Sequence, residues 1–115
     1  MTDEGASVRT ADLLAATRGS GAIWSTSGED MQVNVLAFDD GEGVAEHVNP
    51  AVDVLYVVLQ GGGVLSLNGV TRTLSTGDVV YVPRGSARST RAAGGRLSYL
   101  TCHRRRQPLQ ISPIR

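Results

Sequence analysis

The sequence contains no lysine, a single cysteine, five aromatic side chains and no long apolar run. Each scarcity excludes something. Cys102, alone, can form neither an intramolecular disulfide nor a multi-cysteine metal site. No stretch approaches the roughly 18 apolar residues that a bilayer-spanning helix requires. The first ten residues, MTDEGASVRT, are polar and acidic, which is the wrong chemistry for a secretory signal. The expectation is a soluble cytoplasmic protein without membrane contact. No nucleophile elbow, phosphate loop or paired carboxylate is present, so nothing points to hydrolysis or phosphoryl transfer. The use of arginine for every cation suggests a GC-rich genome more than a mechanism.

What remains is enough for one domain. A chain of 115 residues, 41% apolar and 19% charged, can bury a core and has no room for a second. The net charge is zero, yet ten of the eleven acids lie in residues 1–53 and nine of the eleven arginines in 54–115. In a single domain this favours attraction between the two ends of the chain. The run Arg104-Arg105-Arg106 reads as a solvated terminus, and no nucleic-acid partner is expected.

Thr10-ADLLAATR is the one helical pattern, with Thr10 placed to cap it and Gly19 to end it. Strand and turn signals follow. Ile23–Ser25, Met31–Phe38, Val52–Leu59 and Asp78–Val82 read as strands, and GGG at 61–63 permits a sharp bend or a close backbone approach. VLSLNGVTRTL reads as a hairpin about a type I′ turn at Asn68-Gly69. Ser86–Arg91 and Arg96–His103 flank the loop AAGG as a possible final hairpin. The tail QPLQISPIR, with two prolines, should drape over a surface. About eight short strands with turns every 8–12 residues indicate an antiparallel sandwich or barrel. The division expected is an N-terminal segment with a short helix (1–20), a barrel (21–105) and a tail (106–115).

Two segments resemble the motifs of the cupin superfamily. Gly41 is followed, after five intervening residues, by His47, with Asn49 where the family's second histidine stands. DVLYVVLQG then matches the strand that carries the glutamate, with either Val54 or Asp53 at that position. In GDVVYVPRGSARSTRAA, Gly77, Pro83 and Gly85 fit the second motif, while Arg88 replaces its histidine and Ala92 its asparagine. The resemblance spans roughly residues 31–103. It implies an all-β, cupin-type antiparallel barrel, a jelly-roll-like double sheet, preceded by the short helix. It does not bring the family's metal with it. A divalent transition metal needs three or four converging ligands, and of the four metal positions only His47 is retained. Asn49 offers a neutral amide, Val54 nothing, and Arg88 a fixed positive charge. No metal and no cofactor are expected; a metal would require Asp53 through a bulge and His103 swung inward.

Strand parity gives a pocket. If Val54 faces inward, so do Tyr56 and Val58, and a hairpin about 92–95 would set Arg88 across from Tyr99. His47, Asn49, Tyr56, Arg88 and Tyr99 then converge near the barrel mouth, with Trp24 and Phe38 as apolar walls. Blander readings stand beside these. His47 and Asn49 can serve a turn, the tyrosines can be wall, Cys102 can be an inert thiol and His103 a surface residue. Arg88 can pair with Glu46 or Asp53, or can hold a ligand carboxylate or phosphate. If the site is catalytic, His47 is the proton-transfer group and Arg88 holds or stabilises an oxyanion. That suits isomerisation, epimerisation, cyclisation or dehydration of a polar or anionic carbonyl metabolite, in an isomerase-like or cyclase-like cupin. The alternatives are a non-catalytic metabolite-binding cupin and a metal-dependent oxygenase or isomerase. A homodimer is expected, since an open sheet edge needs covering.

Overall fold

The computed structural model describes residues 5–105. Residues 1–4 and the tail 106–115 lie outside the described residues, and so does the expectation that the tail drapes over a surface.

Nine strands form among the described residues, where about eight were expected. They are β1 (Gly21–Ser27), β2 (Met31–Phe38), β3 (Gly43–Val48), β4 (Val54–Gln60), β5 (Gly63–Leu67), β6 (Val70–Leu74), β7 (Val79–Val82), β8 (Ala87–Ala92) and β9 (Leu97–Arg104). The additional strand is β3, which carries His47. Five strands in the order β1-β2-β9-β4-β7 make one sheet, and β3-β8-β5-β6 make the other. All pairings are antiparallel, and the two sheets face each other as a cupin-type double sheet.

Local chemistry explains the turns. Asn68 and Gly69 take φ of 50° and 82°, the two positive values a type I′ hairpin demands, and β5 pairs with β6 around them. Gly61 has φ of 75°, and a Cβ there would collide with the Arg96 carbonyl, as one at Gly63 would with the Arg91 carbonyl, so the close approach expected of the glycine run occurs.

Two expectations are corrected. Thr10 does not cap the helix α1 (Thr10–Ala16): it is the first helical residue, and Arg9 occupies the cap position without a side-chain bond. The helix also stops before Gly19, at Thr17, whose backbone is extended and whose Oγ1 donates back to the Leu13 carbonyl at 2.9 Å. The second correction is larger. β8 and β9 do not form a hairpin. β8 lies between β3 and β5 and β9 between β2 and β4, in opposite sheets, so neither has a free edge for the other. The loop through Gly94 and Gly95 carries the chain across the sandwich.

Inward-facing side chains from both sheets form the core. Leu65, Leu97, Val58, Val82 and Tyr99 are each at most 2% exposed, with Val54, Leu74 and Phe38 close behind. Along β4 the burial alternates as parity requires, with Val54, Tyr56 and Val58 inside. No helix among the described residues is long and apolar enough to cross a membrane.

Candidate functional site

The inner faces of the two sheets line a cavity of about 220 Å³ that is open at the barrel mouth, where His47 is exposed. Its four-stranded wall is built by register: His47 on β3 stands directly across from Arg88 on β8. Its five-stranded wall is set the same way, with Tyr56 opposite Thr101 and Val54 opposite His103 on β4 and β9. Asn49, just past β3, closes one side, and Leu36, Val44 and Val54 supply apolar surface.

Arg88 dominates the electrostatics. It is 3% exposed, and its Nε donates to His47 Nε2 at 3.1 Å. His47 Nδ1 lies 2.9 Å from the Ala45 carbonyl. The two contacts together select the tautomer in which Nδ1 carries the proton and Nε2 accepts. The guanidinium Nη1 is buried and has no hydrogen-bond partner among the described residues. Neither ion pair considered for Arg88 forms. Glu46 is exposed on the outer side of its sheet, and Asp53 accepts from the Tyr81 hydroxyl and, at 2.8 Å, from the Arg84 N–H. The ion pairs among the described residues are Arg9–Asp12 and Arg96–Asp39. A buried guanidinium without a counter-charge costs several kcal/mol, so something other than stability has to account for it.

The donor set does not fit a transition metal. His47 offers Nε2, but that lone pair already takes the Arg88 proton. Asn49 Oδ1 accepts the N–H groups of Ala51 and Val52 at 2.9 and 3.3 Å, an Asx turn that uses the amide oxygen structurally. Val54 fills the inward glutamate position, and Asp53 points to the opposite face. The hydroxyl of Tyr81, followed by the Arg84 N–H, holds the Asp53 carboxyl below the usual carboxylate range. No three His, Cys, Asp or Glu side chains among the described residues converge as a metal site.

His103 sits differently from the expectation. It is half-buried and lines the cavity, because it shares inward parity with Tyr99 and Thr101; its Nδ1 lies 2.8 Å from the Arg104 carbonyl. Cys102 is half-buried on the other face of β9, paired with Leu55 and Val33.

Tyr56 and Tyr99 both face the cavity, with ring centroids 5.3 Å apart. The Tyr99 hydroxyl is bonded to Thr90 Oγ1 at 2.8 Å, and burial pushes its pKa well up, so it is wall rather than acid. Burial also raises the Tyr56 hydroxyl, partly offset by the Arg88 charge, and that hydroxyl has no hydrogen bond among the described residues. Arg88 is therefore the opposite wall's charge felt at Tyr56, which is the convergence that parity anticipated, though reached across the sandwich rather than along a hairpin.

Neither proposed apolar wall lines the cavity. Phe38 faces inward but lies behind Tyr99, against which it stacks at 5.8 Å. Trp24 faces the other way. The β1–β2 register shifts between Ala22 and Trp24, so Ala22 shares the inner face with Leu36 while Trp24 shares the outer face with Val35. A bulge of one residue moves every later side chain to the opposite face.

The reading of the sequence also missed a polar network on the five-stranded wall. Asn34 Oδ1 accepts from Ser25 Oγ at 2.8 Å and Gln32 Nε2 at 3.0 Å, and Asn34 Nδ2 donates to Thr101 Oγ1 at 3.3 Å. The signal available was the parity of Thr101 with Tyr99.

Comparison with known proteins agrees with this architecture. The cupin-domain family model matches residues 34–102. No functionally curated protein matches the sequence. Among solved structures, BH2720 of Bacillus halodurans is 18% identical over 92% of this chain and 85% of its own, with a TM-score of 0.74. KdgF of Halomonas sp. is 22% identical over 76% and 78%, with a TM-score of 0.68. A protein of Thermotoga maritima described as a predicted oxalate decarboxylase is 23% identical over 66% and 67%, with a TM-score of 0.60. At such identities these likenesses speak to the fold, and the family model covers more than half of the sequence: the chain belongs to the cupin family.

Proposed function

We propose that this protein binds a small anionic metabolite inside the barrel, without a metal, using Arg88 as the anion anchor. One observation carries the reading: a guanidinium 3% exposed, facing the cavity, with Nη1 unpartnered among the described residues. Its Nε is held by His47, and Arg88 lines the cavity, so a carboxylate bound there would give the unpartnered guanidinium edge its acceptor. His47 in this reading is a positioning residue. The cavity is smaller than a drug-sized pocket, which runs to roughly 300 Å³ and more, so the ligand is small.

The test is an NMR titration of the wild type and Arg88→Met with simple carboxylates. Binding by the wild type that weakens at least about tenfold in Arg88→Met, the worth of one charged hydrogen bond, supports the reading. Equal binding by both contradicts it.

A second reading is proton transfer on the bound ligand, giving isomerisation, epimerisation, cyclisation or dehydration of a carbonyl compound. It is favoured by the position of His47, whose Nε2 lies against the cation that would hold the anion. The imidazole would then take or give the proton once the ligand competes for Arg88. Exchange of solvent deuterium into a bound oxo acid, present in the wild type and abolished in His47→Ala, is the expected sign; no exchange leaves a binding protein. A metal-dependent reaction finds no support in the donor set.

A further inference from the structure

The hydrogen-bonding groups around the cavity are unequal in kind. Several donors lack an acceptor among the described residues, and three matter here. They are Arg88 Nη1, the hydroxyl of Tyr56, and the hydroxyl hydrogen of Thr101, whose oxygen already accepts from Asn34. Tyr56 and Thr101 are cross-strand partners on one wall, 7% and 8% exposed, facing Arg88 on the other. The potential acceptors are almost all engaged. Asn34 Oδ1 and Asn49 Oδ1 each take two donors, His47 Nε2 takes Arg88, and Tyr99 and Thr90 are bonded to each other. His103 Nε2 at the edge and the hydroxyl oxygens of Tyr56 and Thr101 are the exceptions among the described residues.

A ligand suited to such a lining brings mainly acceptors, because the guanidinium and the Asn34 amide can only donate and the two hydroxyls are the main groups left to accept from it. The small volume of the cavity, about 220 Å³, favours a short ligand. An ammonium is further opposed by the Arg88 charge.

We infer that the ligand is a short oxo-carboxylate, its carboxylate held by Arg88 and its carbonyl oxygen by the hydroxyls of Tyr56 and Thr101. This rests on the anion-binding reading and goes beyond it, since it makes Tyr56 and Thr101 the specificity-determining residues. Asn34 acts through Thr101, fixing which way that hydroxyl can donate.

The experiment measures dissociation constants for pyruvate, lactate, propionate and alanine by NMR titration. The wild type should prefer pyruvate to lactate and to propionate by about three- to tenfold, the worth of one neutral hydrogen bond, and should bind alanine more weakly still. Tyr56→Phe with Thr101→Val should bring pyruvate and propionate to nearly equal affinity while carboxylate binding survives. Thr101→Ser in place of Thr101→Val keeps the hydroxyl and should restore part of the preference. Pyruvate and propionate bound equally by the wild type, with both lost in Arg88→Met, would overturn the inference and leave the anion-binding reading standing. Alanine bound as tightly as pyruvate would overturn it too. If none of the four binds, both fall.

Discussion

The two faces of the five-stranded sheet carry the same kinds of group in different company. On the outer face, beside β4, a tyrosine and an arginine meet a carboxylate: Asp53 accepts from the Tyr81 hydroxyl and from the backbone N–H of Arg84. On the inner face Tyr56 and Arg88 also converge, and the position that would supply a carboxylate is Val54. Outside, the carboxylate is hydrogen-bonded by the protein and open to solvent. Inside, a cation 3% exposed has an imidazole for a neighbour and no acid among the described residues. The difference separates a self-contained surface cluster, where an ion contributes little, from a buried one whose counter-charge, in the reading proposed above, comes with a ligand.

Giving the interior the acid that the exterior has would break this contrast most completely. Val54→Glu should supply Arg88 with an internal partner and abolish carboxylate binding in the NMR titration. Val54→Gln, with no charge, should reduce binding less. If Val54→Glu binds carboxylates like the wild type, Arg88 is not the anchor.

Loosening the interior is the next step. His47→Ala removes the acceptor that orients Arg88, worth one hydrogen bond, and should weaken carboxylate binding about three- to tenfold. A His47→Asn variant that still accepts should recover part of that loss. The exterior should behave oppositely. Asp53→Asn should leave ligand binding unchanged and act only on the pH dependence of stability. The folded carboxyl titrates below its ordinary value of 3.8, so its contribution is present above that value and is lost as pH falls through the lower folded value. Denaturant unfolding of both proteins at several pH values should show a gap that closes in acid.

The smallest effect lies in the tyrosines. Tyr56, Tyr81 and Tyr99 are all raised above the ordinary 10, the inner pair by burial and Tyr81 chiefly by its bond to Asp53. Groups with raised values stabilise the fold below the ordinary value and lose that effect as pH climbs through the folded one. Phenolate absorbance of the native protein should therefore rise only above pH 10, and Asp53→Asn should shift one tyrosine toward its normal value.

Much of the site was readable from the sequence because β4 and the Pro83–Gly85 turn obey simple rules. A continuous apolar strand fixes parity, so Val54, Tyr56 and Asp53 were assigned to their faces correctly, and the Gly77, Pro83 and Gly85 spacing located Arg88. What escaped was non-local. The bulge in β1 reverses Trp24 without leaving a mark in its composition. β8 and β9 are neighbours in sequence with a glycine-rich loop between them, and only the partners each finds elsewhere, β3 and β5 or β2 and β4, show that they part. Asn34 and Thr101 stayed hidden because β2 is buried on both faces, with Val35 and Ala37 on one and Phe38 on the other, so its alternation does not say which face is the pocket.

The claim at the centre is that Arg88 is kept for a ligand and not for the fold. The most direct measurement is the unfolding free energy of wild type and Arg88→Met in denaturant without any carboxylate present. Replacing a buried, unmatched charge with an apolar side chain of similar length should leave stability unchanged or raise it by about 1 kcal/mol or more, with a normal denaturant slope. A loss of about 2 kcal/mol or more would mean that Arg88 holds the barrel together, and would contradict the account.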